Sequence, residues 1–237
     1  MSNHNRLTSL GITILIVTSV FIGCAKEKVT DIDGNIYETV KIGDQIWMAE
    51  NLKVTHYRDG TPIPNVKAGD VWMELSTGAY CIYNENTSNE KDNYGVLYNW
   101  YAVNGDTDGD GEKDKDKEIA PEGWHVPTDE EWNELETYLS DNGHARAEGL
   151  ALKSTIGWFE NGNGTDDYGF TVLPSGYRGQ TEGYIGMGYA GYFWSTTENY
   201  NSRGALPRLL AYDGRRVIQY EYGLNSANGF SIRLLRD

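Results

Sequence analysis

The chain has 237 residues, with 20 Lys and Arg against 35 Asp and Glu and a formal net charge of −15. Such an acidic surface repels phosphate backbones and anionic headgroups, which excludes nucleic acid as a partner. The length supports one substantial core without disulfides, and no Pro- or Ser-rich linker separates two halves, so one domain is expected.

Arg6 gives a short basic start, and residues 10–23 form an apolar run. That run is shorter than the ~20 residues of a comfortable bilayer span and fits a secretory leader. It closes on Phe21-Ile22-Gly23-Cys24, which resembles the lipobox of bacterial lipoproteins, with phenylalanine where leucine is commoner. The resemblance implies that residues 1–23 are a removed signal peptide and that Cys24 becomes the lipidated first residue. Residues 24–30 would then be a polar tether holding the domain at a bacterial cell envelope, at the outer membrane or cell surface. An ordinary leader with an incidental cysteine, or an anchor helix, is the alternative. Removing Arg6 leaves the mature chain more acidic still. Cys81, the second cysteine, then has no partner, forms no redox pair or sulfur-ligand zinc site, and reads as a small buried hydrophobe.

Residues 31–237 are expected to be the domain. Residues 35–50 read as a hairpin turning at Gly43-Asp44, with Ile36, Val40 and Ile42 on one face and Tyr37, Thr39 and Lys41 on the other. Pro62 and Pro64 impose an irregular path on 53–75. Residues 78–83 suggest a strand, 84–93 a polar loop, and 94–103 an aromatic-rich strand or turn.

An acidic insert occupies 105–118. Calcium takes about six to eight hard oxygen ligands, and carboxylates at positions 1, 3 and 5 with glycine at 6 can begin to wrap one. Asp106, Asp108, Asp110 and Gly111 fit that opening, with Glu112, Asp114 and Glu118 as candidate later ligands. Position 12, a glutamate in an EF-hand, is here Lys117. The competing expectation is a solvated acidic-basic insertion that binds nothing.

Residues 120–135 carry the best-marked helix start. Thr128 and Glu131 form a capping box, Asp129 and Glu130 add negative charge at the positive end of the helix dipole, and Trp132, Leu135 and Leu139 form an apolar stripe. Residues 145–154 suggest a second short helix, weakened by Gly149. A glycine-rich loop covers 157–169, followed by short strand candidates at 171–173, 191–195, 209–212, 216–220 and 230–234. Short antiparallel strands with one or two helices give an α+β single domain.

Several blocks stand in one order: Ile46-Trp47-Met48-Ala49-Glu50-Asn51-Leu52, Tyr94-Gly95-Val96-Leu97-Tyr98-Asn99-Trp100, Gly123-Trp124-His125-Val126-Pro127-Thr128, Leu173-Pro174-Ser175-Gly176-Tyr177-Arg178, Trp194-Ser195-Thr196-Thr197-Glu198 and Gly229-Phe230-Ser231-Ile232-Arg233. They resemble the Fibrobacter succinogenes major paralogous domain family, found in bacterial cell-surface lipoproteins and without an established biochemical activity. The layout is compatible with the C-type-lectin-like fold, to which formylglycine-generating enzymes also belong, and the last block is similar to their terminal strand. Many family members carry cysteines where this chain has Ala120 and Leu234. The paired cysteines of the formylglycine-generating enzymes are absent too, as are the Glu-Pro-Asn and Gln-Pro-Asp triplets of calcium-dependent lectins.

Catalytic motifs are scarce. His4, His56, His125 and His144 include no pair at metal-ligand spacing. His125 reads as a hydrogen-bonded structural residue and Ser175 as a turn residue, and there is no nucleophile elbow or phosphate-cradling glycine motif. Binding is better supported: 17 tyrosines and seven tryptophans are an excess of amphipathic aromatics. Tyr184, Tyr189, Tyr192 and Tyr200, near Trp194, are the candidate binding surface. The expectation is a non-enzymatic, lipid-anchored domain that binds a glycan or an envelope protein. The alternative is an extracellular enzyme on a formylglycine-generating-like scaffold.

Overall fold

A computed structural model describes residues 27–84, 90–110, 112–114, 116–199, 204–220 and 225–237. The amino-terminal part supplies β1 (Lys28–Thr30), β2 (Ile36–Ile42) and β3 (Gln45–Met48). Short pieces follow: α1 (Gly69–Met73), β4 (Tyr80–Cys81), α2 (Glu90–Tyr94), β5 (Leu97–Tyr98), α3 (Trp100–Asn104) and β6 (Trp124–His125). Next come α4 (Asp129–Leu139) and α5 (Glu148–Leu152), joined through a wide turn at Ser140–His144. The remainder is strand: β7 (Ser175–Gly179), β8 (Gly183–Met187), β9 (Ala190–Phe193), β10 (Glu198–Asn199), β11 (Gly204–Ala205), β12 (Arg208–Ala211), β13 (Ile218–Gln219) and β14 (Leu235–Arg236).

Two five-stranded sheets organise the chain, in the orders β1-β2-β3-β14-β6 and β13-β12-β9-β7-β8. The first is antiparallel throughout, and its last-made strand, β14, inserts between β3 and β6. In the second, β7 pairs with β9 in parallel and the other pairings are antiparallel. The protein is therefore mostly sheet with few, short helices, in one domain.

The first sheet has a core cluster on each face. Tyr37, Met48 and Leu234 enter one cluster; Ile42, Trp47 and Leu235 enter the other. The two faces divide as expected, with Val40 and Ile42 on one cluster and Tyr37 on the other, but the second face is buried as well: Tyr37 is wholly buried while Ile36 is 56% exposed. The Tyr37 hydroxyl donates to Asp31 Oδ2 at 2.6 Å, so the ring can bury its polar end. The Gly43-Asp44 turn forms as expected, with Ile42 opposite Gln45. Ala120 and Leu234 both lie in the first cluster, where the resemblance would put two cysteines.

Helix α4 packs on the second cluster. The Thr128 hydroxyl accepts from the Glu131 N–H at 3.2 Å, and Glu131 Oε2 accepts from the Thr128 N–H at 2.8 Å. Both halves of the capping box are present, satisfying donors that a first helical turn leaves open. Trp132 then packs against Trp47, Phe170 and Phe193 at ring separations of 4.8, 6.2 and 5.9 Å. One stripe of this helix thus joins both sheets, Trp47 from the first and Phe193 from the second.

Other expectations shift. Residues 94–103 do not form one strand: Asn99 accepts from the Ala102 N–H at 3.0 Å and starts α3. The 145–154 helix shortens to Glu148–Leu152. Residues 171–173 make an isolated bridge, Lys153 to Val172, and not a named strand. Residues 230–234 likewise make isolated bridges, ahead of β14. The β7–β8 hairpin was not expected, and Ser175 opens β7 with its hydroxyl 3.0 Å from that of Ser231. Cys81 is buried with Trp72, Ala79 and Leu97, as read from the sequence.

Candidate functional site

The acidic insert closes into a tight loop. Helix α3 ends at Gly105 in the left-handed region (φ 78°), where a Cβ would lie 2.4 Å from the Lys117 carbonyl oxygen. Only glycine lets the two ends of the insert approach this closely. Asp106 is buried and accepts from the Gly109 N–H at 2.7 Å. Asp114 accepts from the Thr107 hydroxyl and, at 2.7 Å, from its N–H; these bonds hold the Asp114 carboxyl below its ordinary range.

Three of the six candidate calcium ligands come together. Asp106, Asp108 and Asp114 each offer an oxygen within 4.8 Å of the others, and these three could hold a cation. Asp110 instead accepts from the Glu112 N–H at 2.8 Å, and Glu118 pairs with Lys113. Gly111 lies outside the described residues. Calcium takes about six or more oxygens, so at this loop bidentate carboxylates, backbone carbonyls or water would have to complete its shell. Asp106 and Asp110 also border a cleft of about 460 Å³ with Trp100, Tyr101, Asn104 and Glu198.

The five aromatic residues expected on one binding surface do not share one. Trp194 is a correction: it is wholly buried, and its indole N–H donates to the Tyr98 carbonyl at 2.7 Å. Tyr184 is spent on Arg178, which donates to its hydroxyl at 3.0 Å and lies over its ring at 4.9 Å. Tyr192 packs between Tyr177, Tyr220 and Phe230. Alternation along β9 sends Tyr192 toward one core cluster and Phe193 into the other. Tyr200 lies outside the described residues.

Of the four described, Tyr189 is the exposed one, at 43%, and it has a partner that the sequence reading missed. Phe159, at 41%, stacks on it at 4.4 Å with 25° between the rings. Tyr212 meets both rings edge-on, at 5.6 Å from Phe159 and 5.4 Å from Tyr189. Backbone hydrogen bonds fix the trio: Phe159 N–H to Gly188 O at 2.7 Å, and Tyr212 N–H to Tyr189 O at 2.8 Å.

Glycines and one lysine seat the loop that carries Phe159. A Cβ on Gly162 would lie 2.4 Å from the Tyr212 carbonyl oxygen, and one on Gly164 the same distance from those of Leu150 and Lys153. The buried Lys153 ammonium donates to the carbonyls of Ala211, Tyr212 and Gly214 at 3.1, 3.2 and 3.0 Å, fixing the turn beneath. Burial pushes its pKa down, with no carboxylate close enough to offset it fully. Beside the trio runs a cleft of about 340 Å³, bordered by Glu160, Asn161, Asn163, Tyr212, Asp213 and Arg215. A Phe-Glu-Asn-Gly-Asn-Gly string was the available signal: a large apolar residue at the head of a turn-forming, amide-rich loop.

Each described histidine has a carboxylate beside its ring. His125 bridges Asp237 at 2.7 Å and Glu131 at 2.9 Å, binding the carboxyl-terminal strand to the start of α4, as its structural reading required. His56 meets Asp33 at 2.6 Å and His144 meets Asp167 at 3.7 Å.

Three buried arginines also escaped the sequence reading. Arg208 pairs with Asp129, and with Glu136 at 2.8 Å. Arg178 donates to the carbonyls of Val66 and Lys67, both at 3.0 Å. Arg233 donates to Met48 O at 3.1 Å and Asn51 Oδ1 at 2.8 Å, its ring neighbours being Phe170 and Phe193. Each guanidinium is held by backbone or core partners, though Nε of Arg178 and of Arg233 is buried without one among the described residues; this is a structural use of a residue type that also serves anion recognition.

Among the described residues no helix is long and apolar enough to cross a membrane. Cys24 lies outside them. Comparison with curated proteins and with solved structures finds no match. The model of the Fibrobacter succinogenes major domain matches residues 40–236. That span runs from within β2 to the end of β14 and takes in the second sheet, the first sheet except β1 and the start of β2, the acidic loop and the aromatic trio. The chain belongs to the Fibrobacter succinogenes major domain family.

Proposed function

We propose that this protein is a cell-envelope lipoprotein whose domain binds a glycan or an envelope protein without turning it over. The supporting observation is the Phe159–Tyr189 stack, two large rings left open on two loops tied together by backbone contacts. Exposed, preorganised aromatics beside amides and carboxylates are the composition of recognition surfaces. Side chains with catalytic potential have structural employment: His125 between two carboxylates, Ser175 on Ser231, Lys153 on three carbonyls. A C-type-lectin-like arrangement of the two sheets belongs to the same proposal, with a crystal structure as its check.

The anchor is the second component. Cys24 follows the apolar run of the leader and would carry the lipid; the tether is shorter than the expected 24–30, because Lys28–Thr30 pair with β2 as strand β1. Labelled fatty acid should enter the wild-type protein and not Cys24→Ala; equal labelling of the two removes the anchor from the account.

An array of glycans and envelope proteins, probed with the full-length protein in mild detergent, tests the function. Specific retention with the captured material unchanged supports binding. Consumption of the arrayed material supports an enzyme on a formylglycine-generating-like scaffold instead.

A further inference from the structure

Tyr212, which meets Phe159 and Tyr189 edge-on, lines a cleft that begins at Glu160, next in the chain to Phe159, and whose border is polar except for Leu150. Three kinds of hydrogen-bonding group line it: the amides of Asn161 and Asn163, the carboxylates of Glu160 and Asp213, and the guanidinium of Arg215. At about 340 Å³ it sits toward the small end of the ~300–1,000 Å³ range of ligand clefts. A pyranose ring has the matching division: an apolar face of C–H groups and an edge of hydroxyls that both donate and accept. Aromatic faces take the first and mixed amide, carboxylate and guanidinium groups take the second.

The site is also built in advance. Gly162 and Gly164 let the Phe159 loop rest directly on backbone, and the Lys153 ammonium holds the opposite turn through three carbonyls. Asn163 Oδ1 accepts from the Trp158 N–H at 3.1 Å, bracing the loop from within. A preformed surface loses little conformational freedom on binding, which matters for a weakly hydrophobic ligand such as a sugar. Mutual shielding alone does not account for the stacked pair, since 41% of Phe159 and 43% of Tyr189 remain open.

Charge narrows the ligand. Two carboxylates against one guanidinium border the cleft, on a chain of net charge −15. Uronate or sulfated chains would be repelled, whereas a neutral chain would not. We infer that Phe159, Tyr189 and the adjoining cleft form a subsite for a neutral saccharide chain, one ring lying on the open aromatic face with its hydroxyls turned into the cleft. This deepens the binding function proposed above and rests on it.

The test is affinity electrophoresis of the full-length protein in gels containing hydroxyethylcellulose, xylan, galactomannan or a β-1,3-glucan, with polygalacturonate as the charged control. At least one neutral polymer should retard the protein and polygalacturonate should not. Phe159→Ala/Tyr189→Ala should weaken retardation about tenfold or more, and Asn161→Ala/Arg215→Ala should weaken it with the aromatic pair intact. Ile36→Ser, at a distant exposed position, should leave it unchanged. Melting curves confirm that each variant is folded, and the polar double variant carries the test if the aromatic one is not. Retardation that survives both double variants overturns the subsite and leaves the binding function standing. Capture of an envelope protein with no neutral polymer bound overturns the saccharide assignment alone. Retention by nothing in either assay overturns both.

Discussion

Trp132 and Phe159 are both large rings stacked on other rings, and they answer to different forces. Trp132 is wholly buried, with Trp47, Phe170 and Phe193 around it. Phe159 touches Tyr189 and Tyr212 on one side and solvent on the other. The first ring is held by side-chain packing, the second by the backbone beneath it. An aromatic that the fold can lose at small cost, on a loop fixed by other means, is available for recognition.

The largest expected effect falls on the buried ring. Trp132→Ala should cost ~3–5 kcal/mol in urea unfolding, through lost burial and the cavity left between the sheets. Next comes Arg208→Ala, which strands Asp129 and Glu136 on α4. Breaking such a buried pair costs ~3–5 kcal/mol in general. The lower end, about 3, is expected here because Gln219 still donates to both Asp129 oxygens at 2.9 Å. A Trp132→Ala loss as small as that of a surface ring would dissolve the contrast between the two regions.

A smaller effect comes from a polar tie of the kind that holds surface loops. Asp33 accepts from the Thr55 N–H at 2.5 Å, the Thr55 hydroxyl at 2.8 Å and His56 at 2.6 Å. Burial opposes its ionisation, but the bonds from Thr55 and His56 outweigh that and hold its carboxyl below the usual range. A depressed carboxylate contributes stability that is complete above its unfolded value of ~3.9 and is lost as pH falls through the lower folded value. Between about pH 5 and about pH 3, the urea midpoint of the wild type should therefore fall more steeply than that of Asp33→Asn. Parallel curves would show that the tie carries no linkage.

The smallest stability effect belongs to the exposed pair. Phe159→Ala should change unfolding free energy by no more than ~1 kcal/mol, the scale of one aromatic pair contact. A loss approaching that of Trp132→Ala would make Phe159 a folding residue and weaken its role in recognition.

What could be read from the sequence was local. The start of α4 is written within four residues, Thr128 to Glu131, and the hairpin turn within two, Gly43 and Asp44. The β7–β8 hairpin was hidden because Gly176, Gly179, Gly183 and Gly186 erase the alternation that marks a strand. Arg208 meets Asp129 across 79 residues, and no local pattern announces such a pair. Trp194 and Tyr189 looked alike in a glycine-rich stretch. Their different burial is set by distant partners: Tyr98 and Phe230 cover the tryptophan, while Phe159 covers half of the tyrosine. The acidic insert showed its composition but not which of its carboxylates converge, because Thr107 and Lys113 draw Asp114 and Glu118 to opposite uses.

The most direct test of a non-catalytic binding domain is to incubate the full-length protein with the neutral polysaccharide it retains best, and to follow bound protein and new reducing ends together. Saturable retention with no rise in reducing ends over a protein-free control is the predicted result. Reducing ends that accumulate in proportion to enzyme and time, and that vanish with Phe159→Ala/Tyr189→Ala, would contradict it.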